Sequence, residues 1–140
     1  MTYLLIFGVL LLALSPLLAM MPTRRQRELA SLRQAAASAG LFVKLDREGG
    51  EPGQVYYGCR RQRGDTPAQS AILQRGAAGW SLQSGECAAE RASLLAALPE
   101  AVMQFREDAR EVGVFWGERG TLEDVQTIAG VLRKLLGRQW

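Results

Sequence analysis

From Thr2 to Met21 the chain carries no charged side chain, and apolar residues cover every side of a helix drawn through TYLLIFGVLLLALSPLLAMM. A helix apolar all round is expected to lie in lipid, whereas a core helix shows a stripe. At ~1.5 Å of rise per residue, such a run crosses a hydrocarbon core of roughly 30 Å. A basic segment ahead of the run and a small-x-small site behind it would mark a cleaved signal, and neither is present. The expectation is therefore an uncleaved transmembrane anchor over residues 1–21, followed by one domain over residues 22–140.

Past the span the pattern turns periodic. Pro22 ends the apolar run. Thr23 and Gln26 have the spacing of a capping box, and Leu29, Leu32, Ala36 and Ala39 share one helical face. Gly40 suits the position just beyond that helix. Leu41–Leu45 then reads as a strand. In Gln54–Arg61 the alternation puts Val55, Tyr57 and Cys59 on one face and Tyr56, Gly58 and Arg60 on the other. Residues 70–74 and 79–83 form a further pair of short strands around Arg75-Gly76-Ala77-Ala78. Together these predict an antiparallel meander.

After Ser84-Gly85 the period lengthens. Leu94, Leu98, Val102, Phe105 and Ala109 recur at three to four residues, which predicts helix over 86–97 and a second helix starting near Pro99. Val112–Trp116 is a strand. The last helix opens at Thr121 as N-cap, with Asp124 three residues on. Leu122, Val125, Ala129, Leu132 and Leu136 form its buried stripe, flanked by Ile128 and Leu135. The expected fold class is α+β, with one transmembrane helix, an antiparallel meander and a helix-strand-helix C-terminal part. Trp80 and Trp116 are expected in the core, and Trp140 is expected to fold back onto the domain.

Charge adds an orientation. The net of +3 is uneven: residues 22–63 hold 9 Lys/Arg against 4 Asp/Glu, and residues 64–140 hold 8 against 10. Arg24, Arg25, Arg27 and Arg33 directly follow the span. Basic residues flanking a span stay on the cytoplasmic side, so the N-terminus is expected outside and the domain in the cytoplasm, at a bacterial inner membrane. The same arginines are expected to contact anionic lipid, worth roughly 1 kcal/mol per charge. Positive charge in a helix's first turn opposes the macrodipole, so local helix stability does not account for them.

Candidate chemistry is sparse. The chain has no histidine, which removes His-based nucleophile activation and His metal ligation. Cys59 and Cys87 are too few for a structural zinc site and are expected as free, buried thiols. Gly49-Gly50 and the stretch 76–79 lack the phosphate-loop patterns and read as turns. Arg60, Arg61 and Arg63 form a possible binding surface, with a solvated strand end as the plainer reading. Glu118 and Arg119 are expected to form an exposed pair. No nucleophile is matched with a base. These residues predict a non-catalytic binding or assembly module with no cofactor and no metal. Its expected partners are membrane lipid and another protein, not nucleic acid. The rival expectation is a lipid- or ligand-binding regulator that uses the basic surface.

An outward N-terminus, a span, a proline, a basic helix (RRQRELASLRQ) and a strand resemble YajC, the small accessory subunit of the bacterial preprotein translocase. The resemblance covers residues 1–45 or so and implies non-catalytic support of protein export. The Gly-rich hydrophobic segment that follows the helix in YajC has no evident match here, and the C-terminal part has no counterpart.

Overall fold

The computed structural model describes residues 1–45, 48–67 and 69–138. The chain divides into two compact units, Met1–Ala30 and Ser31–Trp140.

The first unit is built on α1, Thr2–Ala19, in which no residue is buried. Its mean hydropathy is 2.3, so it is long and apolar enough to cross a membrane or to serve as a signal sequence. Helix α2 covers Arg24–Ser38, and from Ser31 on its residues belong to the second unit. Its start is the expected capping box. Thr23 N donates to Gln26 Oε1 at 2.9 Å, and Gln26 N donates to Thr23 Oγ1 at 3.2 Å. Its end is a glycine stop. Gly40 takes a φ of +86°, and Leu41 N reaches back to Ala36 O at 2.9 Å.

In the second unit six strands form one sheet: β1 Phe42–Lys44, β2 Val55–Arg60, β3 Ala71–Gly76, β4 Gly79–Gly85, β5 Val102–Glu107 and β6 Glu111–Trp116. The spatial order is β1-β2-β6-β5-β3-β4, and every pairing is antiparallel. Helices α3, Ala89–Leu95, and α4, Leu122–Leu135, complete an α+β fold. The sheet order places β6 and β5 between β2 and β3, so the two early hairpins are joined by a later one.

Strand β5 replaces the helix expected from Pro99. The reason lies in a register shift between Val102 and Gln104, where Met103 is an extra residue against β6. The bulge lets Val102 and Phe105 both face the core although they are three residues apart, which imitates a helical period. Only α3 remains of the helical stretch.

One hydrophobic cluster joins Val55, Tyr57, Cys59, Phe105, Val112, Val114 and Trp116 of the sheet to α2, α3 and α4. Leu32, Ala36 and Ala39 enter it from the α2 stripe. Helix α4 contributes Val125, Ile128, Ala129, Val131, Leu132 and Leu135, at roughly 1.5–3 kcal/mol for each large aliphatic side chain. Thr121 and Asp124 form the full capping box at its start. Leu122 departs from the expected stripe and is exposed. It is the first helical residue, and its Cβ tilts past the helix N-terminus, away from the packed turns.

The opposite face of the sheet is also partly covered. Tyr56 and Phe115 face each other across β2 and β6 with ring centroids 5.0 Å apart, and Phe42 stands 5.8 Å from Tyr56. The Tyr56 ring lies over the cross-strand pair Gly58 and Gly113. A Cβ at either glycine would come within 2.6 Å of that ring. Two glycines inside central strands are therefore the space the tyrosine occupies.

Candidate functional site

Three buried glutamates organise the charged interior: Glu107, Glu111 and Glu118. Glu118 follows β6 at the turn into α4. It was expected to be exposed beside Arg119, but it is 3% exposed and its partner is Arg33. Arg33 donates from Nε and NH2 to the two carboxylate oxygens at 2.9 and 2.7 Å. Tyr57 Oη donates to Glu118 Oε2 at 2.7 Å. Burial, then the neighbouring carboxylate, pushes the Tyr57 phenol well above its ordinary value. Glu118 also holds a φ of +55°, a left-handed conformation that costs a non-glycine residue about 1–3 kcal/mol. The network holds it there.

Glu107 points inward from β5, in register with Ala71 of β3. Arg61 and Arg91 both donate to its carboxylate. Arg61 further donates to the carbonyls of Asp108 at 3.0 Å and Thr66 at 2.6 Å. One carboxylate thus ties the β2–β3 loop and α3 to the sheet. Glu111 meets Lys44 at 3.8 Å on the other face.

The possible binding surface Arg60, Arg61 and Arg63 is divided by this arrangement. Arg61 is an internal strut, with a side chain 9% exposed. Arg60 is exposed on the opposite face of the sheet, its guanidinium 5.5 Å from the Phe42 ring centroid. Arg63 is exposed in the turn after β2. Arg24, Arg25 and Arg27 are exposed in the first turn of α2, where Arg24 and Arg25 reach Glu28 at 3.2 and 4.0 Å. Arg33, grouped with them by sequence, is the one drawn into the buried network.

Trp116 is fully buried. Trp80 is half-buried against the core, donates Nε1 to Leu95 O at 3.1 Å, and carries the Arg75 guanidinium on its ring. Trp140 lies outside the described residues. Cys59 is buried and Cys87 half-buried, and neither is bridged. Arg138 donates to Cys59 Sγ at 3.3 Å and holds Asp65 through two bonds of 2.9 and 2.7 Å. An open groove of about 560 Å³ lies between the β3–β4 hairpin and the segment after α3, with Arg75, Glu100 and Met103 among its walls. Among the described residues no group of three or more Cys, Asp or Glu is placed to hold a metal ion.

The buried acids were missed because each needs a tertiary partner. A signal existed for Glu107, which shares an inward strand face with Phe105 once 102–107 is read as a strand. Another existed for Arg33, which adjoins Leu32 on the buried side of α2. No family model matches the chain, and no curated protein or solved structure matches it.

Proposed function

We propose that the chain is a membrane-anchored, non-catalytic binding or assembly module. In this reading α1 is an uncleaved span with its N-terminus outside, and the sheet unit lies on the cytoplasmic side of a bacterial inner membrane. The observation that carries the reading is α1 itself: eighteen consecutive helical residues, none buried, followed at once by Arg24, Arg25 and Arg27. The interior supports a structural role for its charges. Glu107 and Glu118 are each held by arginine, an arrangement that fixes elements and presents no activated nucleophile. The YajC-like order of span, proline and basic helix extends the proposal to an accessory place beside export machinery.

The test is fractionation of the full chain. Retention in alkaline-washed membranes with an intact mass that includes residues 1–21 is expected. A soluble chain lacking that segment overturns the anchor.

A further inference from the structure

The sheet face away from the helices is closed by the chain itself. Helices α2, α3 and α4 pack on the side that carries Tyr57, and Phe115 points to the other side yet is buried. Its cover is the β1–β2 connection. The other two hairpins turn within residues 77–78 and 108–110, whereas this connection runs from 45 to 54. Gly50 lies so close to the Phe115 ring that a Cβ there would come within 2.6 Å of it. Glu48 O accepts from Arg106 Nη1 at 3.0 Å, and a Cβ at Gly49 would collide with the same guanidinium, Nη2 nearest. Beneath this cover Arg106 is poorly served. Its Nε is buried without a hydrogen-bond partner, and among the described residues no carboxylate pairs with it. Glu111, on the same face, meets Lys44 instead. The Arg106 guanidinium lies 5.7 Å from the Phe115 ring centroid.

We propose that residues 48–50 are a strap that lifts from the sheet, and that an oxyanion of the phosphate class holds it open by filling the Nε–Nη2 edge of Arg106. In Arg33 that edge takes both oxygens of Glu118, the paired geometry that suits carboxylate and phosphate alike. In Arg106 the same edge is empty at Nε and roofed by Gly49 at Nη2. A guanidinium withdrawn from water without an anion is costly, and so is a buried N–H without an acceptor. Both costs exist only while the strap is down. The strap is also lightly held. Gly49 and Gly50 bring no side chain to the sheet, and Glu48 is bonded to Arg106 through its backbone carbonyl. A ligand that binds only the lifted state draws the population toward it. This inference does not rest on the anchor reading.

The test uses the full chain in detergent. Inorganic phosphate is titrated at an ionic strength matched with chloride, and separately the micelles are doped with phosphatidylglycerol. A saturable rise in the thermal midpoint is expected. A rise with inorganic phosphate assigns a free anion, and a rise with the lipid alone assigns a headgroup. Arg106→Lys keeps the charge but lacks the Nε–Nη2 edge, and is expected to abolish the rise. Gly50→Ala is expected to unfold at lower temperature without ligand, because the strap no longer seats on Phe115. It is nevertheless expected to bind at least about threefold more tightly, because its lifted state is already populated. A purely structural loop does not give those two effects together. No saturable response to either probe, a response that survives in Arg106→Lys, or binding by Gly50→Ala no tighter than wild type overturns the inference.

Discussion

Arg33 in α2 and Glu118 at the end of β6 meet through two hydrogen bonds of 2.9 and 2.7 Å across 85 residues of chain. The carboxylate is buried while the arginine side chain remains 35% exposed, so the two residues are not equivalent in a mutation. Arg33→Met leaves a buried charge and should destabilise by about 2–4 kcal/mol, discounted for the exposed side of the pair. Adding Glu118→Gln removes the buried negative charge, so the double variant should unfold at higher denaturant than Arg33→Met alone. Changing Arg24, Arg25 and Arg27 together to Gln should leave the unfolding midpoint unchanged or slightly raised, since in the first turn they oppose the helix dipole. Chemical denaturation of the four proteins checks both statements. A triple variant as unstable as Arg33→Met would make those arginines structural as well.

Gly113→Ala should destabilise by about 1–3 kcal/mol, because the added methyl must displace the ring of Tyr56, which Phe42 and Phe115 confine. In a Tyr56→Leu background, which removes the ring, the same change should cost much less. Thermal unfolding of the two pairs measures the difference. Equal costs would place the strain elsewhere.

The pair Asp65–Arg138 predicts a pH effect with a definite sign. Hydrogen bonding from Arg138 lowers the Asp65 carboxyl from 3.8 to about 2. The unfolded chain therefore takes up this proton first as the pH falls. The stabilisation is complete above the unfolded value of about 4 and is lost between there and about 2. The difference in unfolding free energy between wild type and Asp65→Asn should be constant near neutrality and shrink across that window. A difference that does not change with pH would show that Asp65 acts as a neutral hydrogen-bond acceptor.

The cysteines should differ in reactivity. Cys59 is buried in the sheet, and Cys87 is half-buried with its thiol pushed up by burial. Both should label slowly in the native protein, Cys87 ahead of Cys59, and both promptly once unfolded. Mass spectrometry of timed alkylation reads the order directly, and prompt native labelling of Cys59 would contradict its packing.

Much of the fold was legible because local chemistry and tertiary need agreed. The caps at Thr23 and Thr121, the stop at Gly40 and the stripe of α4 all follow from short-range rules. Strand β5 was not legible, because a bulge gave Val102 and Phe105 a helical spacing. The charged interior was hidden for another reason. Arg33 and Glu118, or Arg61 and Glu107, carry no mark in sequence of the distant residue each will meet, and an arginine beside a span reads as a topology signal until its partner is seen. The glycines of β2 and β6 likewise carry no mark in sequence of the Tyr56 ring they make room for, and the ring above them explains both.

The most direct test of the anchored, inward-facing module is a pair of C-terminal reporter fusions to the full chain in bacteria. With the positive flank retained inside, a fluorescent-protein fusion should be bright and membrane-associated, and an alkaline phosphatase fusion inactive. An active phosphatase with a dark fluorescent fusion would place the domain outside and contradict the account.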